Sequence, residues 1–231
     1  MALVISTWLW GSKKYSVDDV AKLRAGVRRH LRTPHRFICF SENDFSLADV
    51  EVAPIENMEL TLMPGCFVRL RMFDPMWQER WIWPRPSSDD RLVNMDLDTV
   101  IVGGLDGLLE RSEQFVILQG GNAANPCKFG GALMMLRPGA VPDVWGSFSI
   151  EAAMNIPRHE FPDDQGWIWH KHPEAAGWEC GPKSGIYVFR KPHWPNGDYL
   201  PKDAVMVTFN GWRSPRGFAD KIEWIREHWR T

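Results

Sequence analysis

Leu92-Val93-Asn94-Met95-Asp96-Leu97-Asp98-Thr99-Val100-Ile101-Val102-Gly103-Gly104 is the stretch on which the fold turns. Arg91 to Met95 reads as a strand, and Asp96 and Asp98 follow it two residues apart. Side chains alternate along an extended chain, so this spacing points both carboxylates to one face. Like charges placed so close repel unless a cation intervenes. Hard divalent ions such as Mg²⁺ or Mn²⁺ accept carboxylates together with phosphate oxygens, so the pair suits the clamping of a nucleotide diphosphate. Ligands of open α/β sheets also bind beyond the carboxyl ends of strands, where this pair falls. The bland alternative has Asp98 capping a turn and Asp96 paired with an arginine. The apolar strand before the pair and the run Val100 to Leu109 after it weigh against that reading.

Working outward, Leu3 to Thr7 reads as a buried strand, and Ser16 as the N-cap of a helix with Asp18 and Asp19 in its first turn. Val20, Leu23, Val27 and Leu31 form its apolar stripe, and Pro34 ends it. Strands are expected at Arg36 to Phe40 and Val50 to Ile55, a β-α-β-β opening of the kind that begins an α/β nucleotide-binding half. Phe67, Leu70 and Phe73 recur at helical spacing, which predicts a helix over Cys66 to Phe73. The second half predicts strands at Phe115 to Gln119, Ala132 to Arg137, Ile186 to Arg190 and Val205 to Phe209. Helices are expected near Val141 to Met154, Asp163 to Lys171 and Gly217 to Trp229. No linker divides the 231 residues, so a single α/β domain with a mixed, helix-flanked sheet is expected.

Composition removes several classes. The net charge of -2, from 27 basic and 29 acidic side chains spread along the chain, leaves no footprint for nucleic acid. No apolar run is long enough for a transmembrane segment, and Met1 to Ser6 lacks the basic leader of a signal peptide. A cytoplasmic location follows as an expectation, with peripheral attachment to a membrane left open. Cys39, Cys66, Cys127 and Cys180 form no Cys-x-x-Cys pair and are expected to be buried small hydrophobes. The 13 tryptophans are expected to be mostly core, with a few free to stack on a sugar or a base. His159, His170 and His172 do not converge on one helix face and are expected to be solvated or packed.

Leu92 to Asp106 resembles the Asp-x-Asp region of bacterial GT-A glycosyltransferases related to glycosyltransferase family eight. Other pieces fall in that family's order. Gly11 with Tyr15 resembles its donor-base loop, Phe67-Val68-Arg69-Leu70 its aromatic-x-Arg-Leu helix, and Phe129-Gly130-Gly131-Ala132 its Phe-Asn-Ser/Ala-Gly turn. Asp164-Gln165 resembles its sugar-lining pair, and Thr208 to Pro215 its late glycine loop. The resemblance implies a Rossmann-like GT-A domain and transfer of a sugar, with retention, from a nucleotide-diphosphate sugar. UDP is the implied nucleotide, and the acceptor is an unidentified glycan, lipid or protein. It implies Mn²⁺ or Mg²⁺ held by Asp96, Asp98 and Asn210, and catalytic roles for Gln165 and Asp164. Thr7, Tyr15, Arg69, Asp96, Asp98, Gly130, Gly211 and Arg213 are the implied donor-binding positions.

Three departures stand out. The family's late metal-binding His falls at Thr208 or Asn210, the Asn of its turn is Gly130, and its diphosphate-binding Lys falls near Ser214, where Arg213 or Arg216 is the candidate replacement. Two other readings stay open. Asp96-x-Asp98 also fits a haloacid-dehalogenase-like phosphatase with Asp96 as nucleophile, although three strands precede it. A tryptophan-rich carbohydrate-binding protein with an ion held by the acidic pair is the non-enzymatic alternative.

Overall fold

The computed structural model describes every residue except 12, 122–125, 157–161, 196 and 212. The chain opens with β1 (Leu3–Leu9), α1 (Val17–His30), β2 (His35–Ser41) and β3 (Glu51–Pro54), followed by α2 (Met58–Thr61) and α3 (Pro75–Trp81). The middle carries β4 (Arg91–Met95), β5 (Thr99–Ile101), α4 (Asp106–Leu109), β6 (Phe115–Gln119) and β7 (Phe129–Leu136). Then come α5 (Asp143–Gly146), α6 (Ile150–Met154), α7 (Asp164–Lys171), β8 (Ala176–Glu179), β9 (Ile186–Val188), β10 (Met206–Thr208) and α8 (Glu223–His228).

Among the described residues these strands form two sheets. The larger runs β3-β2-β1-β4-β7-β6-β8, and the smaller runs β5-β10-β9. β1 pairs in parallel with both β2 and β4, with Leu3 opposite His35 on one side and Arg91 on the other. β7 runs antiparallel to β4 and β6, so the sheet is mixed. Its central strands are covered on both faces and therefore read as nearly unbroken apolar runs. Alternate residues divide between the faces: Val4, Ile38, Phe40 and Leu92 pack with Trp77 and Phe73 on one side, while Leu3, Ile5, Phe37 and Val93 pack with Val20, Leu23 and Val27 of α1 on the other. A separate cluster of Tyr187, Phe189, Val207, Trp224 and Ile225 backs the smaller sheet.

Local chemistry explains the boundaries. Asp19 accepts hydrogen bonds from Ser16 N at 2.8 Å and Ser16 Oγ at 3.0 Å, which fixes the start of α1. The expected helix at Cys66 to Phe73 is a 3₁₀ helix, Phe67–Phe73, entered through Cys66 in the left-handed region at φ 60°. Three residues per turn put Phe67, Leu70 and Phe73 in one line, which the spacing of exactly three between them already favours over 3.6. The expected helix over Val141 to Met154 is two short ones, because Ser149 starts a new cap and accepts from Ala152 N at 3.1 Å. The closing helix is shorter than its pattern suggested, a 3₁₀ turn at Pro215–Gly217 followed by α8. β8 was not expected. Of its Ala-Gly-Trp-Glu only Trp178 favours a strand, and a Cβ at Gly177 would lie 2.3 Å from the Gln119 side chain and force it to shift.

No helix among the described residues is long and apolar enough to cross a membrane. Cys39, Cys127 and Cys180 are buried and Cys66 is half-buried, all four as free thiols. His172 lies at the surface against Asp143 at 2.8 Å, while His159 lies outside the described residues.

Trp77 is 2% exposed, stacked on Trp8 at 5.7 Å and tilted against Phe40 at 4.6 Å. Trp77→Ala is expected to lower the unfolding free energy by about 3–5 kcal/mol in urea titrations, the range for a large aromatic lost from a packed core.

Candidate active site

Asp96-Leu97-Asp98 is the hinge between the two sheets. β4 ends at Met95, Asp96 N donates to Ala132 O at 3.1 Å, Phe209 N donates to Asp98 O at 3.0 Å, and β5 begins at Thr99. The turn is thus pinned to β7 on one side and to the end of β10 on the other. Leu97 packs into the core, and Asp96, Leu97 and Asp98 all line one cavity. The strand before the turn ends at Met95, where the sequence pattern placed its end.

Arg69 organises the acids from below. Its guanidinium is buried, pairs with Asp96 through Nη1, and holds Asp164 Oδ2 through Nε at 2.9 Å and Nη2 at 2.7 Å. Nη1 also donates to Gly131 O at 3.2 Å. Glycine is required at 131, because a Cβ would lie 2.4 Å from Arg69 Nη2. The pairing of β6 with β7 shifts between Ile117 and Leu118, where Leu118 faces Gly130 while Ile117 faces Met134, and this irregularity opens the sheet beside Gly131. Gly65, at φ 97°, brings the preceding loop against α7: Asp164 N donates to Gly65 O at 2.8 Å, and a Cβ there would meet Pro162 O at 2.5 Å.

The electrostatics follow from burial. Loss of water pushes the Asp164 carboxyl up to about 7 against the pull of Arg69. Asp96 is raised to about 6, first by desolvation and then by the Asp98 charge, again against Arg69. Arg69 itself is held well above its ordinary value by the two acids despite its burial, so it stays cationic. Asp98 is 3% exposed. Its Oδ2 accepts from the Tyr15 hydroxyl at 2.5 Å and from Lys14 Nζ at 3.0 Å, while its Oδ1 is buried with no hydrogen-bond partner. Burial and the Asp98 charge raise Tyr15 far above a free phenol, so its hydroxyl keeps its proton.

The cavity in front of these groups is about 470 Å³. The structure brings together on its wall Tyr15, Arg69, Asp96, Asp98, Gly130, Gln165, Asn210 and Gly211 of the expected residues. Three expected residues are not among those that line it. Thr7 is wholly buried in β1 with its hydroxyl unpartnered, Asp164 is sealed behind Arg69, and Arg213 lies off the wall. Arg216, offered as a replacement phosphate ligand, binds Asp19 at 2.7 Å and Ser16 Oγ at 2.8 Å instead. Asp163 caps α7 by accepting from Gly166 N at 2.7 Å, which sets Gln165 on the open side of the first turn.

Phe129 and Phe209, which lie in the motifs quoted above, join the wall, while sequence reasoning did not single out Lys14, Cys66, Trp8 or Trp10. Nothing in their spacing signals it, since each reaches the cavity only through the folding of a distant loop or strand end. Burial pushes the Cys66 thiol up to about 12, so it offers no thiolate. Asp96, Asp98 and Asn210 all line one cavity and all carry oxygen donors, and the buried Oδ1 of Asp98 is an acceptor without a partner. This donor set fits a hard divalent cation, although among the described residues no cluster of three His, Cys, Asp or Glu reinforces it.

A mixed seven-stranded sheet with a small second sheet joined at an Asp-x-Asp turn defines a GT-A, Rossmann-like fold. The chain is similar to the crystal structure of the galactosyltransferase LgtC in complex with donor and acceptor sugar analogues. That match has a TM-score of 0.62 at 10% identity and covers 99% of this chain and 97% of the other. A structure of an active-site mutant of LgtC matches with a TM-score of 0.59 at 9% identity, over 92% and 89%. At such identity the likeness is one of fold. No protein-family profile matches the sequence, and no curated protein matches it.

Arg69→Met leaves the Asp164 carboxylate buried without its partner, and a loss of about 3–5 kcal/mol is expected in urea unfolding. Adding Asp164→Asn removes the uncompensated charge, and the double variant is expected to recover a large part of that loss. Equal stability of the single and double variants would show that the pair is not the framework described.

Proposed function

We propose that the protein is a metal-dependent glycosyltransferase, one domain, that moves a sugar from a nucleoside diphosphate donor to an acceptor hydroxyl with retention. UDP-sugar is the donor that the sequence resemblance favours. The observation that carries the reading is the Asp96-Leu97-Asp98 turn at the carboxyl end of β4, its two carboxylates opening with Asn210 onto one cavity in a GT-A fold. Ligands of open α/β sheets are taken at this edge.

Asp96, Asp98 and the Asn210 carboxamide would hold Mn²⁺ or Mg²⁺, which when bound neutralises the charge that grows on the departing diphosphate. The protein's own groups do the rest. Arg69 orients Asp96 and keeps it from turning away, while the Tyr15 hydroxyl fixes Asp98. Gln165, an uncharged carboxamide on the wall, orients sugar hydroxyls rather than attacking carbon. Trp8, Trp10, Phe129 and Phe209 supply apolar faces against which a sugar can lie and from which water is excluded. The family resemblance implies that retention comes from front-face attack of the acceptor, its proton passing to the leaving phosphate oxygen. Asp96 follows the fourth strand of the chain and is ion-paired with Arg69, an arrangement that disfavours its use as a phosphatase nucleophile.

Thermal unfolding with nucleoside diphosphates tests this. At about 100 times its Kd a ligand adds roughly 2.7 kcal/mol, which for a chain of this size raises Tm by roughly 5–10 °C. The rise is expected with uridine diphosphate plus Mn²⁺, to be largely lost when Mn²⁺ is omitted, and to disappear in Asp98→Asn. Stabilisation by free glycans with none by any nucleotide would instead favour a carbohydrate-binding protein.

A further inference from the structure

A diphosphate gains negative charge as its bond to the sugar breaks, and the basic side chains near the cavity are unequally free to balance it. Arg69 is committed to Asp96, Asp164 and Gly131 O, and Arg216 to Asp19 and Ser16. Among the described residues on the cavity wall, the remaining basic side chain is Lys14. Its Nζ lies 3.0 Å from Asp98 Oδ2 and 4.6 Å over the Tyr15 ring, and its side chain is 41% exposed. Lys14 is therefore a counter-ion to the acidic turn that stays partly exposed on the cavity wall.

A divalent cation on Asp98 and an ammonium 3.0 Å from the same carboxylate repel each other. The lysine stem is long and flexible, and its point charge can move to another anion by giving up one ion pair and one contact with the Tyr15 ring. Resting on the transferase reading above, we propose that Lys14 is the diphosphate-binding cation of this chain, parked on Asp98 until a divalent ion takes its place and then turned onto the donor phosphates. One residue thus competes with the metal when the cavity is empty and cooperates with it when the donor is bound.

Titration calorimetry on the full chain, with Mn²⁺ alone and then with uridine diphosphate and uridine at saturating Mn²⁺, separates the two roles. Lys14→Met is expected to bind Mn²⁺ about 5-fold more tightly in the absence of nucleotide, since a partly exposed ion pair no longer has to be broken. The same variant is expected to bind uridine diphosphate about 10- to 100-fold more weakly, the effect of losing a charge-assisted phosphate contact, with uridine binding unchanged. Lys14→Arg should keep the diphosphate affinity within a few-fold, and circular dichroism should show both variants folded. Weaker Mn²⁺ binding by Lys14→Met, or an unchanged diphosphate affinity, overturns the assignment. A wild-type chain that takes up Mn²⁺ but no nucleoside diphosphate overturns the transferase reading itself, and the role of Lys14 with it.

Discussion

A guanidinium buried among carboxylates is tolerable only when every charge is answered, and Arg69 is the group that answers them. It draws together Asp96 from the turn after β4, Asp164 from the start of α7 and the Gly131 carbonyl of β7. Three parts of the chain separated by 27 to 95 residues meet at that one planar cation. Its place is shaped by glycine at 131, by the pairing irregularity in β6 and β7, and by the 3₁₀ helix that carries Arg69.

That arrangement leaves an acidic turn exposed to a cavity on one side only. Asp96 is restrained from behind, Asp98 is braced by Tyr15, and both main-chain ends of the turn are tied to neighbouring strands. The side chains can then rotate little, which is the property a metal or phosphate site needs of its first ligands. The larger sheet supplies rigidity, and the smaller sheet supplies the far wall through Thr208, Phe209, Asn210 and Gly211.

Elements with strong local patterns were legible in the sequence. β1, β2 and β4 are apolar runs whose residues have no alternative but the interior, and α1 carries its own cap, dipole charges and stripe. Where the pattern was shared between conformations the reading erred: three-residue spacing from Phe67 to Phe73 suits a 3₁₀ helix, and the apolar run after Val141 conceals the new cap at Ser149. β8 was invisible because its Ala and Gly have low strand propensity, Gly177 lying close against the Gln119 side chain.

The sequence by itself determined the alternation that aims Asp96 and Asp98 to one side, because a period of two is a property of the extended chain and needs no partner. It also determined that these acids end an apolar strand, and hence at which edge of the sheet they lie. Only the tertiary structure decided which residues meet them. It sealed Asp164 behind Arg69, turned Arg216 toward Asp19, left Thr7 inside β1 and brought Lys14 to Asp98 across 84 residues. Charge pairing over such separations depends on where loops are carried by the packing of the sheets, and no local pattern of residues encodes that position.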